Sequence, residues 1–86
     1  MHELSLALEI CRLTEEQVGH DALGRVVTVA VEVGDDAGVD PSNLEFCLEV
    51  LLAEPPFAGA TPRLLRLPGD DLRLSYLEVD DGRPDD

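Results

Sequence analysis

The chain of 86 residues has room for one small domain and a single core. Its 44% hydrophobic content is that of a folded protein, and 19 acidic residues against 6 basic ones, all arginine, give a net charge of −13. So acidic a chain is repelled by phosphate backbones and anionic lipid. That excludes nucleic acid and membrane surfaces as partners and leaves cationic partners, metal ions, or simply a well-solvated exterior.

The sequence opens Met1-His2-Glu3, which puts an imidazole and a carboxylate beside a terminal amine. A His at position 2 lets that amine, the His2 amide nitrogen and the His2 ring nitrogen close adjacent chelate rings on one metal. A planar set of nitrogen donors favours Ni(II) or Cu(II). The bulk of His2 also protects the initiator Met1 from removal, which keeps the amine in place. A His beside a terminus also arises without function, because termini tolerate change.

From Glu3 to about Gly19 the pattern is helical. Leu4, Ala7, Leu8, Cys11 and Val18 share a stripe that Leu6, Ile10 and Leu13 widen. Glu3 falls in the first turn, where a carboxylate suits the positive end of the helix dipole. Gly19 is a stop signal and residues 20–24 read as a loop, with His20 as a further metal ligand in principle. Arg25 to Val33 alternates as a strand, with Val27, Val29, Val31 and Val33 on one face and Val26, Thr28, Ala30 and Glu32 on the other. Residues 34–38 supply turn chemistry.

Asp40-Pro41 marks a second helix start, with Asp40 as N-cap and Pro41 in the first helical position. Leu44, Cys47, Leu48 and Leu51 form its core stripe, supported by Phe46, Val50 and Leu52, and Pro55-Pro56 ends it at about Glu54. The spacing then predicts strands over Thr61–Leu67 and Leu72–Val79, paired as a hairpin through Pro68-Gly69-Asp70-Asp71. Leu72 and Leu74 are out of phase with Leu77 and Val79, and a bulge near Ser75-Tyr76 restores one core face. Residues 81–86 form an acidic tail whose composition predicts disorder.

The order α-β-α-β-β predicts an α+β fold, with two helices packed on one face of a three-stranded sheet. No apolar run approaches the ~20 residues of a membrane span. Glu3, Glu9 and Arg12 break up the apolar stretch a signal peptide needs, so the expected location is cytoplasmic. Cys11 and Cys47 lie outside any C-x-x-C pair and read as small buried hydrophobes rather than zinc ligands. Ser5, Ser42 and Ser75 stand in no nucleophile motif, and the chain does not read as an enzyme.

Five stretches carry a family resemblance: MHELSLALEI at 1–10, EEQV at 15–18, RVVTVAVEVG at 25–34, AGVDPSNLEFCLEVLL at 37–52 and GDDLRLSYLEV at 69–79. Together they resemble the HypA/HybF family of hydrogenase-maturation nickel metallochaperones, the opening Met-His-Glu and the Val-x-Pro-x-x-Leu-x-Phe order being the specific parts. The resemblance implies a nickel-binding domain over residues 1–80. It implies Ni(II) bound by the α-amine of Met1, the His2 ring and backbone amide nitrogens at His2 and Glu3. The Glu3 carboxylate would tune or assist the site, or recognise a partner. The implied partners are the maturation GTPase and the hydrogenase large subunit, with urease as another target system. Members of the family carry a zinc-binding insertion with two C-x-x-C pairs between the last two strands. This chain has only residues 68–71 there, so nickel without zinc is the expectation. The alternative is an interaction module that keeps the fold and has lost metal delivery.

Overall fold

The computed structural model describes residues 3–80. Helix α1 runs Glu3–Val18, a 3-10 turn covers His20–Arg25, and strand β1 runs Val26–Gly34. Helix α2 covers Pro41–Leu52, and strands β2 (Thr61–Leu67) and β3 (Leu72–Val79) complete the chain. This is the α+β order expected from the sequence, with the loop after α1 wound into a 3-10 turn. The acidic tail of residues 81–86 lies outside the described residues.

The pairing of the last two strands corrects the hairpin expectation. The sheet order is β2-β1-β3, with β1 parallel to β2 and antiparallel to β3. The reason is the unequal character of the strands. β1 is the valine-rich one, with Val29, Val31 and Val33 fully buried, and the centre is the only place where both of its edges are paired. The outer strands carry Arg63, Arg66 and Arg73, which tolerate an edge. β1 reaches β2 through α2, the kind of crossover a parallel pair requires.

With β1 in the middle, residues 68–71 must arch across its end. The arch is held by three backbone bonds. Gly34 N–H donates to the Asp71 carbonyl (2.7 Å), Asp35 N–H to that of Leu67 (2.8 Å) and Asp36 N–H to that of Gly69 (2.8 Å). A Cβ on Gly34 would overlap the Gly69 carbonyl and lie 2.9 Å from the Asp71 nitrogen, so only glycine fits beneath the arch.

The expected bulge is present. Ala30 pairs with Tyr76 and Val31 with Leu74, which leaves Ser75 as the extra residue. Leu72, Leu74 and Leu77 therefore all pack on the core. Ser75 Oγ donates to Glu32 Oε2 (3.0 Å) beside the Arg73 Nε bond to Glu32 Oε1 (2.7 Å). The Arg73 bond foremost, and the Ser75 bond after it, hold the Glu32 carboxyl below the usual carboxylate range.

The helix faces differ in part from expectation. On α1 the buried line is Ala7, Ile10 and Thr14, whereas Leu4 and Leu8 are 53% and 52% exposed. The apolar stripe is wider than the face a helix can bury, and small residues let its centre approach closely while the flanking leucines stay outside. Thr14 is tolerated in the core because its hydroxyl donates to the Ile10 carbonyl at 2.8 Å. On α2, Leu44, Leu48 and Leu52 are buried, while Phe46 and Val50 face solvent.

Candidate metal centre

The residues singled out for metal binding are Met1, His2 and Glu3. Met1 and His2 lie outside the described residues, so Glu3 is where the structure meets the candidate site. It sits in the first turn of α1, and both oxygens of its carboxylate accept hydrogen bonds. Oε1 accepts from Asn43 Nδ2 at 2.9 Å and Oε2 from the Asp40 backbone N–H at 3.2 Å. These bonds, the Asn43 one foremost, hold the carboxyl below its ordinary range and keep it ionised at neutral pH.

Its partners belong to the start of α2. Asp40 caps that helix as the sequence predicts, its Oδ1 accepting from Ser42 N–H (3.0 Å) and Asn43 N–H (3.3 Å). One residue, Asn43, therefore serves both helices: its backbone is capped by Asp40 and its side chain holds Glu3. The two helix starts are tied together. Both lie at the end of β1 that is crossed by residues 68–71, because the segment Asp35–Asp40 leads from the arch directly into α2.

This geometry refines what Glu3 can do. Each of its oxygens accepts one hydrogen bond and keeps a further lone pair, so the two bonds fix the orientation of the carboxylate without using up its capacity to ligate. Glu3 is positioned to anchor the beginning of α1 to the start of α2. The surroundings are acidic, with Asp36, Asp40, Asp70 and Asp71 exposed near the same end and Asp35 paired to Arg66 at 2.9 Å. An accumulation of negative charge raises the local concentration of divalent cations.

Other candidate ligands are not brought to this place. His20 follows α1, and a helix of 16 residues at ~1.5 Å per residue separates it from Glu3 by roughly 24 Å. Its Nδ1 lies 2.8 Å from Glu15 Oε2 instead. Cys11 and Cys47 are free, half-buried thiols, and burial pushes the Cys11 thiol up, away from the thiolate form that binds metal. Among the described residues, no group of three or more His, Cys, Asp or Glu side chains is placed to hold a metal ion. Sequence reasoning found Asp40 as a cap but missed Asn43. An amide in the first turn of a helix carries no signal that names a partner forty residues away.

Residues 1–78 match the family model HypA, described as hydrogenase/urease nickel incorporation, metallochaperone. The chain is 35% identical over 69 residues to the hydrogenase maturation factor HypA of Albidiferax ferrireducens, covering 80% of this chain and 61% of that protein. It is 38% identical over 69 residues to the factor of the same name from Azotobacter chroococcum, with the same coverage. Similarity to the Syntrophus aciditrophicus factor, 35% over 87 residues, extends over 92% of this chain and 76% of that one. The chain thus spans about three fifths of the length of the first two relatives. The solution structure of the Ni metallochaperone HypA from Helicobacter pylori shares the fold. It has a TM-score of 0.65 at 14% identity and covers 95% of this chain and 89% of that chain.

Proposed function

The chain belongs to the HypA family, and from that premise we propose that it is a nickel metallochaperone that binds Ni(II) through Met1, His2 and the backbone at Glu3. The observation that carries the proposal is the family match beginning at residue 1, on a helix whose first turn is fastened by Glu3 to the start of α2. With its carboxylate oriented by Asn43 and Asp40, Glu3 acts as a fixed post beside the two residues that bind the metal. The donors are then nitrogens: the Met1 amine, the His2 ring and deprotonated backbone amides. Such a set suits a planar Ni(II) ion. The nickel would then be passed, with the maturation GTPase, into the hydrogenase large subunit, or into urease in a urease system.

The reading includes no zinc. The connection that would carry a zinc lobe is the four-residue arch at residues 68–71, held down by three backbone bonds from Gly34, Asp35 and Asp36 and free of cysteine. The protein performs no catalysis of its own in this scheme.

The test is an anaerobic Ni(II) titration, by absorbance and calorimetry, on protein with an authentic amino terminus. Stoichiometric binding that tightens with rising pH is expected, because the ligating amides must lose protons. It should be lost in His2→Ala and after one residue is added before Met1. Binding indifferent to His2→Ala would refute the site. Elemental analysis of the same preparation should find no stoichiometric zinc. The alternative, an interaction module without metal delivery, draws on the side chains Leu4 and Leu8 exposed on α1. Partner capture unaffected by His2→Ala and by chelator would favour it.

A further inference from the structure

Strand β3 has β1 on one side and, among the described residues, an unpaired backbone edge on the other. The opposite edge of the sheet, β2, is blunted by Pro62, whereas β3 contains no proline. We propose that the β3 edge is an interface between two copies of this chain, paired antiparallel about a two-fold axis between Ser75 and Tyr76 into one continuous six-stranded sheet.

The residues of β3 support this because they are self-complementary. With Ser75 opposite the second copy's Tyr76, Leu74 faces its Leu77, Arg73 its Glu78 and Leu72 its Val79. The whole length of the eight-residue strand is used. Directly opposed residues in an antiparallel pair point to the same face, so each pair must match in side as well as chemistry. In a regular strand this register would fail, since it opposes odd positions to even ones. The bulge at Ser75 cures it. Pairing with β1 puts Leu72, Leu74 and Leu77 opposite Val33, Val31 and Val29 on the helix-covered side, and Val79 opposite Val26. Against the alternation expected of β1, Val26 is buried in place of the exposed Val27, because the register shifts before Thr28. Arg73, Tyr76 and Glu78 lie opposite Glu32, Ala30 and Thr28 on the other side. Every apolar pair of the proposed interface thus falls on the core side and the Arg73–Glu78 pair on the open side. A slip of one residue mixes the faces, and a slip of two opposes core-side to open-side residues across the bulge, Leu74 to Ser75 or Tyr76 to Leu77.

Two further observations fit. A groove of about 600 Å³ runs beside the edge between α1 and β3, lined by Leu13 and Val18 on one wall and Leu74, Leu77 and Val79 on the other. A two-fold axis perpendicular to the sheet puts both α1 helices on the same face, so the second copy's equivalent side chains would close this groove. Arg73 uses its Nε for Glu32 and is 69% exposed, leaving its terminal nitrogens for a second carboxylate. Among the described residues, Glu78 has no ion-pair partner.

The net charge of −13 opposes association, and Asp71 opposite the second copy's Asp80 ends the ladder at each side. Salt screens this repulsion over about 8 Å at physiological ionic strength, so the dimer should strengthen as salt is added. The antiparallel arrangement sends the two α1 starts to opposite ends of the assembly. The proposal therefore stands whether or not those starts bind nickel.

Sedimentation equilibrium of the whole chain, from micromolar to millimolar concentration at low and high salt, is the test. A reversible dimer favoured by salt is expected. Glu78→Arg should weaken it by about tenfold or more, since two attractive pairs become repulsive. Arg73→Glu should do the same. Mixing the two variants should restore a dimer, now mixed, because one copy then carries arginine at both positions and the other carries glutamate at both. Circular dichroism confirms that each variant is folded. If Arg73→Glu unfolds by opposing Glu32, amide exchange of the unmodified chain decides, with β3 amides gaining protection as concentration rises through the transition. A chain that stays monomeric at millimolar concentration in high salt overturns the proposal. So does a dimer untouched by Glu78→Arg, or one whose β3 amides gain no protection.

Discussion

Replacing Gly34 by alanine isolates the arch that distinguishes this sheet from a hairpin. Gly34 lies in β1 without a positive φ, so alanine carries no dihedral penalty there. The cost is contact alone. The new methyl would overlap the Gly69 carbonyl and sit 2.7 Å and 2.9 Å from the Gly69 carbonyl carbon and the Asp71 nitrogen, all of them backbone atoms that no rotamer change can withdraw. Relief requires lifting the arch, which breaks some or all of its three backbone bonds. At about 0.5–1.5 kcal/mol net for each bond, the expected loss is about 2–4 kcal/mol. For a domain of this size that is a fall in Tm of about 10–25 °C. Gly69→Ala is the control. Its φ of 102° is unfavourable for alanine, but nothing lies within 4 Å of the added carbon, so a cost of about 1–2 kcal/mol is expected. Urea and thermal unfolding followed by circular dichroism measure both. Gly34→Ala within ~0.5 kcal/mol of the unmodified protein, the scale of an ordinary surface change, or no worse than Gly69→Ala, would show that the arch does not close on β1 as described.

Ile10→Ala should cost about 2–5 kcal/mol, whereas Leu8→Ala on the exposed flank of α1 should stay within about 0.5 kcal/mol; equal losses would contradict the face assigned to the helix. Asp40→Ala removes the α2 cap and should cost about 0.5–2 kcal/mol by the same unfolding measurements. The Glu3 carboxyl is held below its ordinary pKa, so its contribution to stability is complete above the unfolded-state value near 4.5 and is lost as pH falls through the lower folded value. Asn43→Ala should raise the Glu3 pKa toward the ordinary range in a carbon-detected NMR titration. An unchanged titration would remove Asn43 as its cause.

Much of the local structure was legible in the sequence alone. The Asp40-Pro41 start of α2, the limits of β2 and β3, and the bulge at Ser75 each depend on neighbours within a few residues. A cap needs the amides two and three positions on, and a bulge declares itself by a break in alternation. The depth of α1 was only partly legible, because a run with leucine on both flanks does not say which flank the neighbours leave open. Leu4 and Leu8 stayed outside for that reason. At the candidate site, the sequence pointed to residues 1–3, but it could not say that the Glu3 carboxylate is already held by Asn43 and Asp40.

The sequence by itself determined the α-β-α-β-β order, the acidic surface and, through the extent of its resemblance, the HypA family. The first two follow from periodicity and composition and the third from the matching stretches themselves, all properties of the chain read in one dimension. Only the tertiary structure decided that β1 lies between β2 and β3, that residues 68–71 cross over Gly34, and that Glu3 joins the two helix starts. Adjacent strands with a short turn between them suit a hairpin equally well on local grounds. The choice is made by the valines of β1, which need neighbours on both edges, and that demand comes from strands more than twenty residues apart.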